Sequence, residues 1–179
     1  MYQSIRARIR LAGLLALIAA LSGCDAGWPD LSLDPGAGGS VSRTIDGCPV
    51  TIPSGEPPVE GEDFNYGDRY LAVSIWTKGR LVADRVPAAD TWAVVAPDGS
   101  IPAKVGWWRG VSGRLTIQGE RLDAPAPPLR ARVPGGYGHI GFQSTELTFP
   151  TEGCWEVVGS VAGHDITFVV LVVKHGREP

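Results

Sequence analysis

The chain has 179 residues and a formal net charge of −3, and 44% of its residues are hydrophobic and 20% charged. This length suits one domain with tails and is enough to bury a core. The acidic balance excludes a generally basic nucleic-acid binder. The 24 glycines and 15 prolines argue against a helix bundle, although they stay below the level that marks a low-complexity chain.

The N-terminal residues have the pattern of an export signal. Residues 1–10 carry three arginines and no acidic residue, and the apolar run LAGLLALIAALSG follows and ends at Cys24. A basic stretch before an apolar run of this length is typical of a secretory signal, and the run is too short to span a membrane as a helix. The alternative is an ordinary signal peptide in which the cysteine falls by chance.

Leu21, Ser22, Gly23 and Cys24 resemble the lipobox of bacterial lipoproteins. In that family the cysteine thiol is diacylated and the chain is cleaved before it. The resemblance implies removal of residues 1–23 and a membrane anchor on Cys24, on the extracytoplasmic side (periplasm or cell exterior). Two or three acyl chains hold a protein stably, whereas one chain binds only marginally.

Cleavage would leave 156 residues with a formal charge of −6, because the signal takes three arginines with it. An acidic domain is repelled by an anionic membrane surface, so we expect membrane contact through the lipid alone. Residues 24–47 then comprise the lipidated cysteine and a flexible tether rich in Gly, Ser, Pro and Asp. Residues 48–179 form a single β domain.

Cys48 and Cys154 form an even pair once Cys24 is lipidated. In an oxidising compartment such a pair predicts a disulfide, while two free thiols and a metal site are the alternatives. The bond would close a loop of over a hundred residues, which on the chain-entropy model stabilises by up to roughly 4–5 kcal/mol.

From residue 70 onward, short β runs alternate with turn residues. Residues 70–76 and 81–84 flank TKGR, which predicts a hairpin. Residues 154–161 and 165–174 flank the turn at 162–164, which predicts a second hairpin near the C-terminus. The β-branched run TFVVLVV in its second arm predicts a central strand covered on both faces. Roughly eight or nine short strands predict an all-β fold, an antiparallel sandwich.

Two segments, VGWWRGVSGRLTIQGERLDAPAPPLRARVPGGYG and GFQSTELTFPTEGCWEVVGSV, together with the CPV at Cys48, resemble a family of uncharacterised bacterial lipoproteins. The resemblance covers roughly residues 48–174, and its most distinctive parts are WWRG and FPTEGCWEV. It implies an exported, lipid-anchored, immunoglobulin-like domain. It implies no established activity, so no catalytic residue can be transferred.

Motifs for catalysis are missing from the sequence. HExxH, GxSxG, a P-loop and CxxC are all absent, so we expect no enzyme and no cofactor. His139, His164 and His175 lack metal-ligand spacing, so we expect no metal site. A carboxylate pair for glycoside hydrolysis stays open as the enzyme alternative, since spatial pairing cannot be read from sequence.

A cluster of aromatic and basic residues is the candidate binding patch. Trp107 and Trp108 must point to opposite faces of an extended strand, so one fills the core. The other ring is either covered by the proline-rich residues 124–129 and stacked by an arginine, or exposed for binding. The candidate residues are Trp107, Trp108, Arg109, Arg114, Tyr137, His139 and Phe142.

Three functions are compatible with these patterns. The first is an interaction or structural module of the cell envelope, which contacts an envelope protein or cell-wall glycan and the membrane through its lipid. The second is a glycan- or small-ligand-binding domain, favoured by an exposed Trp beside a concave surface. The third is an enzyme, which needs a pocket with two convergent titratable side chains.

The lipid anchor can be tested at Cys24. Cys24→Ala removes the thiol that would carry the acyl chains, so we expect loss of palmitate labelling and release from the membrane fraction. Metabolic labelling and cell fractionation measure both effects. A variant that is still labelled and still sediments with membranes would contradict the lipoprotein interpretation.

Overall fold

A computed structural model describes residues 40–53, 58–86 and 92–175, all within one compact unit, Asp34–Pro179. The predicted signal and residues 24–39 of the predicted tether lie outside these residues. Within the described part of the chain, no helix has the length and apolar character needed to cross a membrane. The described residues form β-strands, turns and irregular segments.

The strands are β1 (Ser40–Ile45), β2 (Cys48–Pro53), β3 (Tyr66–Gly67), β4 (Leu71–Val73), β5 (Arg80–Ala83), β6 (Ile101–Arg109), β7 (Thr116–Arg121), β8 (Arg130–Arg132), β9 (Gly141–Phe149), β10 (Gly153–Val161) and β11 (His164–Lys174). A five-stranded sheet has the order β3-β4-β6-β9-β8, and a four-stranded sheet has the order β5-β11-β10-β7. All pairings in them are antiparallel except β5 with β11. The predicted all-β sandwich is confirmed.

Large aromatic residues from both sheets form the core between them. Trp107 on β6 lies 6.3 Å from Phe168 on β11, and Phe149 on β9 lies 5.6 Å from Trp155 on β10, measured between ring centroids. All four side chains are buried. Burial alternates along β6, β9 and β10, as expected for strands with one face on a core.

Backbone hydrogen bonds also join the two sheets along both sides of the sandwich. On one side, Val94 donates to Pro102 of β6, and the next residue, Val95, donates to Asp84 just after β5. On the other side, Leu129 donates to Gly119 of β7 just before the chain enters β8. These bonds hold the edges of the two sheets together and fix the positions from which the loops emerge.

The predicted hairpin at residues 70–84 is wrong. Its first arm is β4, which pairs with β6 in the five-stranded sheet, and its second arm is β5, which pairs with β11 in the other sheet. The predicted turn is nevertheless present, with Gly79 at a positive φ of 68°. The arms separate because each buries its apolar residues, Leu71 and Leu81, on a different side of the same core.

The second predicted hairpin is confirmed. β10 and β11 pair from Gly153 with Val172 through to Val161 with His164. Ala162 and Gly163 both have positive φ, at 48° and 84°, which is the conformation of a two-residue hairpin turn. β11 lies between β5 and β10, so it is the central strand that its β-branched sequence predicts.

The domain begins before the predicted boundary at Cys48. Residues 40–47, predicted as part of the tether, form β1 and its turn, with Asp46 and Gly47 at positive φ. The hairpin β1–β2 lies on the outer face of the four-stranded sheet, where Val50 packs against Leu171. The sequence concealed β1 because its residues 41–44 are exposed and three of them are polar.

The predicted disulfide between Cys48 and Cys154 is confirmed, with a Cα–Cα distance of 5.5 Å. It joins β2 to β10 and therefore fastens the hairpin to the sheet beneath it. Both cysteines are buried, together with Val50 and Leu171. The sandwich thus carries a third, two-stranded layer that covers part of the outer face of its four-stranded sheet.

Loss of the disulfide should destabilise the domain strongly. The bond closes a loop with a sequence separation of 106 residues, and removal of such native bonds typically costs about 2–5 kcal/mol. We expect the double variant Cys48→Ala/Cys154→Ala to unfold at a clearly lower urea concentration than the oxidised protein. An unchanged midpoint would show that packing of the hairpin alone holds this layer in place.

Candidate functional site

Four loops lie together at one end of the sandwich, at residues 68–70, 110–115, 133–140 and 162–163. They follow β3, β6, β8 and β10, and we call this surface the loop end. Gly110 donates a backbone hydrogen bond to Tyr70, and Tyr70 stacks on His164 beside the fourth loop. A rigid scaffold that presents loops at one end is a common arrangement for binding sites.

Trp107 is the inward member of the tryptophan pair. Its indole is fully buried and donates a 3.1 Å hydrogen bond to the Thr145 hydroxyl. The ring lies against Gly159 of the opposite sheet, where a Cβ would come within 2.3 Å of it. Trp107 is therefore a core residue and lies outside any surface patch.

Trp108 points outward and is half-buried. Its ring centroid lies 6.0 Å from that of Phe64, which in turn lies 6.4 Å from Phe142. The cover on Trp108 is thus Phe64, from the segment before β3, whereas the expected cover was residues 124–129. That segment instead lies along β7, where its last residue, Leu129, packs over Gly119.

Tyr137, Ile140 and Phe142 project from the loop end, and we call them the apolar ledge. Their exposed fractions are 38%, 58% and 51%. The rings of Tyr137 and Phe142 meet edge to face at 6.0 Å. The sequence identified the two aromatic residues and missed Ile140, whose signal was an apolar residue that follows the Gly, Tyr and His residues of 135–139.

Arg109 lies beneath this ledge and hydrogen-bonds to two of the loops. The side chain is only 6% exposed and donates hydrogen bonds to the carbonyl oxygens of Gly113 and Gly138. Gln143, equally buried, donates a 2.9 Å hydrogen bond to the carbonyl oxygen of Pro134. Arg109 is therefore a positioning residue for the loop at 133–140, contrary to its predicted place on the surface.

Among the residues that the structure describes, Arg109 and Gln143 each have one buried polar atom without a hydrogen-bond partner, Nε and Oε1 respectively. Leaving such groups unpaired costs roughly 1–3 kcal/mol each. Part of the stability gained from Arg109 and Gln143 is thus offset by the cost of holding the loop in this position.

The loop end carries both basic and acidic side chains, since the exposed Asp165 lies two residues after the loop at 162–163. Arg69, Arg114 and His139 are exposed, and Arg69 lies with its guanidinium 4.6 Å from the centre of the Tyr70 ring. Its hydrogen bond to the Tyr70 hydroxyl raises the pKa of Arg69. The one acidic residue in these four loops, Asp68, accepts hydrogen bonds from the backbone N–H groups of residues 70 and 71.

The opposite end also carries charges of both signs. Its described loops contain Asp84, Asp98, Asp123 and Glu152, and Arg85 and Lys174 lie beside Glu152. A hydrogen bond from Ser100 lowers the pKa of Asp98, and one from Arg121 lowers the pKa of Asp123. Asp123 and Arg121 form an ion pair at 2.6 Å, so part of the negative charge at this end is balanced locally.

Of the predicted patch residues, the structure brings Trp108, Arg114, Tyr137, His139 and Phe142 to the loop end or its rim. It places the other two, Trp107 and Arg109, in the interior. The alternation of side chains along a strand predicted that Trp107 and Trp108 would face opposite sides of the sheet. It did not predict which of the two would face the core. The buried role of Arg109 had no signal in the sequence, because it depends on carbonyl groups in loops that are distant along the chain.

A groove of about 410 Å³ lies elsewhere, along β7 and β10. Glu120 and Glu156 line it and face each other in register across the two strands. Carboxylates are the residues that the enzyme hypothesis requires, but both line an open sheet face where Glu120 is exposed. No group of three or more His, Cys, Asp or Glu that could hold a metal occurs in the described ranges.

The fold and site together define a disulfide-stapled β-sandwich whose loop end combines apolar and charged side chains. No family model, curated protein or solved structure matches this chain.

The tryptophan pair should separate in stability measurements. Trp107→Ala opens a cavity in the core, and we expect a loss of about 3–5 kcal/mol in the free energy of unfolding. Trp108→Ala should cost much less, because this indole is only half-buried. Urea unfolding of both variants tests this difference, and equal losses would show that Phe64 makes the outer ring as structural as the inner one.

Proposed function

We propose that this protein is a lipid-anchored interaction or structural module of the bacterial cell envelope, on the extracytoplasmic side. The export signal and Cys24 support the anchor. The disulfide between Cys48 and Cys154 supports an oxidising compartment, where such bonds form and persist. The missing catalytic motifs favour a binding role over an enzymatic one.

The observation that carries this proposal is the apolar ledge, together with the hydrogen bonds from Arg109 and Gln143 that fix the loop at 133–140. Exposed apolar groups with neighbouring polar residues are typical of contact surfaces. Arg109 and Gln143 hold the backbone beneath Tyr137, so less conformational entropy is lost when a partner binds. The loop end therefore supports a preformed contact surface for an envelope component.

The contact surface can be tested by making it polar. Tyr137→Ser/Phe142→Ser should leave the free energy of unfolding within about 1 kcal/mol, since both residues are exposed. It should reduce recovery of the protein on membrane and cell-wall fractions by roughly tenfold or more, as expected when interface aromatics are lost.

Val82→Ser/Leu122→Ser is the matched control, because these side chains are similarly exposed (46% and 45%) but lie outside the loop end. It should bind like the unmodified protein. Equal recovery of the two double variants would remove the support for the loop end as the contact surface.

A second candidate is a glycan-binding lipoprotein. The exposed rings of Tyr137 and Phe142 favour it, since aromatic faces supply large contact area at low entropic cost. Titration with soluble peptidoglycan fragments tests it, with Phe142→Ser as the variant. Saturable binding that is lost in this variant would assign the surface to a glycan.

A further inference from the structure

We propose that the loop at 133–140 covers a binding site for the C-terminus of a peptide. In this site Arg109 binds the terminal carboxylate, and Gln143 accepts a hydrogen bond from the amide N–H that precedes it. The site lies beneath the apolar ledge and goes beyond the proposed function, because it depends neither on the lipid anchor nor on the ledge as a contact surface.

The Arg109 guanidinium is a buried cation whose hydrogen-bond partners are neutral. The side chain is 6% exposed, and none of the ion pairs in the described part of the chain includes it. Its hydrogen bonds go to two carbonyl oxygens. A charge that is buried without an opposite charge is costly, so an anion that reaches this group gains more than it would at an exposed arginine. This attraction depends on one buried group and not on the surface charge of the loop end, which has both signs.

The geometry of the guanidinium fits a carboxylate. Its Nη1 atom donates a 2.9 Å hydrogen bond to the Gly113 carbonyl oxygen. Its Nη2 and Nε atoms share another edge of the planar group, where Nη2 donates to Gly138 and Nε is one of the two buried atoms without a partner in the described residues. One carbonyl oxygen therefore occupies an edge with two donors, and such an edge matches the two oxygens of a carboxylate.

Gln143 lies within reach of the same ligand. In the pairing of β6 with β9, Gln143 is opposite Trp107 and Arg109 is opposite Gly141, so the two side chains are diagonal neighbours on the inner face. Gln143 Oε1 is the second buried atom without a partner in the described residues. A peptide C-terminus carries an amide N–H beside its carboxylate, so it offers a donor to Oε1 and two acceptors to Arg109. A simple carboxylate such as acetate would satisfy Arg109 alone.

The part of the loop that covers Arg109 is held by few contacts. In the described chain this loop makes no backbone–backbone hydrogen bond, and its side-chain hydrogen bonds are those from Arg109 to Gly138 and from Gln143 to Pro134. The loop is exposed from residue 135 onward. Segments with so few buried contacts open at the lowest free energy, so this loop is suited to open while the sandwich stays folded.

Glycines allow this part of the loop to move while its base stays fixed. Gly136 and Gly141 flank residues 137–140, and their positive φ values of 90° and 99° are accessible mainly to glycine. Pro134 precedes both glycines, so its hydrogen bond from Gln143 can persist when residues 137–140 move. The ordinary closed form presents the apolar ledge, and the ligand selects a minor open form.

The exchange of contacts favours the bound form. Opening breaks the hydrogen bond to Gly138 and the edge-to-face contact of Tyr137 with Phe142. The carbonyl oxygen of Gly138 then meets water, because the loop is at the surface. The ligand supplies partners to Nη2 and Nε of Arg109 and to Oε1 of Gln143, so three hydrogen bonds replace one. Two of them join opposite charges, and such bidentate pairs are among the strong hydrogen bonds in proteins.

The experiment follows the Arg109 Nε–H signal of the isotope-labelled, full-length protein by nuclear magnetic resonance. The probe is the dipeptide N-acetyl-alanyl-alanine, and the same compound with an amidated C-terminus is the matched control ligand. We expect a saturable downfield shift with the acid and none with the amide, because the amide lacks the charge and the second oxygen. Comparison of the D- and L-alanine forms distinguishes a cell-wall peptide from a protein C-terminus as the source of this chemistry.

Arg109→Lys keeps the charge but removes the edge with two donors, so the association constant for the acid should fall about tenfold or more. Arg114→Lys is the matched control, because Arg114 is exposed at the loop end, and it should bind like the unmodified protein. Gln143→Met leaves Arg109 in place and removes the amide acceptor, so it should abolish the preference for the dipeptide over acetate. The signal of the Gly113 backbone amide reports binding in all three variants.

Equal shifts with the acid and the amide, or equal weakening in the two lysine variants, overturn the role of Arg109. An Nε–H signal that does not move at about 10 mM acid, which is tenfold above a millimolar Kd, overturns the site as a whole. If Arg109→Lys does not fold, Gln143→Met is decisive, since an undiminished preference for the dipeptide over acetate contradicts the proposed contact. Cys24→Ala alters none of these outcomes, so the site and the lipid anchor fail separately.

Discussion

The packing of Trp107 on Gly159 is the constraint on which the rest of the structure depends. The indole occupies the space where a side chain at position 159 would lie, so the two sheets meet at this contact and the direction of β6 is fixed. With Trp107 inward, strand alternation sends Trp108 outward and Arg109 inward. One core contact thereby decides which residues are structural and which face solvent.

The loop end follows from that direction. Arg109 reaches the carbonyl groups of Gly113 and Gly138 from the core side and ties two loops to the sheet. The neighbouring outward strand positions carry Trp108 and Phe142, which continue into the exposed ledge. Strand alternation buries the Arg109 side chain beneath the loops and places the rings of Trp108 and Phe142 on the outer face. The residue that fixes the loops and the residues of the exposed surface therefore follow from one strand direction.

The disulfide and the hairpin β1–β2 serve a different part of the molecule. They cover part of the outer face of β11, a strand that carries apolar residues on both faces. Because this layer comes first in the described chain, it connects the residues after Cys24 to the centre of the four-stranded sheet. The bond to β10 fastens this layer covalently to the sheet.

The sequence by itself determined the fold class, the C-terminal hairpin, the disulfide and the split roles of the tryptophans, because each depends on local period, turn chemistry or residue count. The tertiary structure alone decided that residues 70–76 and 81–84 part into different sheets, that residues 40–47 form a strand, and that Arg109 lies inside. Phe64 covers Trp108 for the same kind of reason. These features depend on contacts between segments that are far apart in the chain. The local sequence pattern does not specify which distant segment each one contacts.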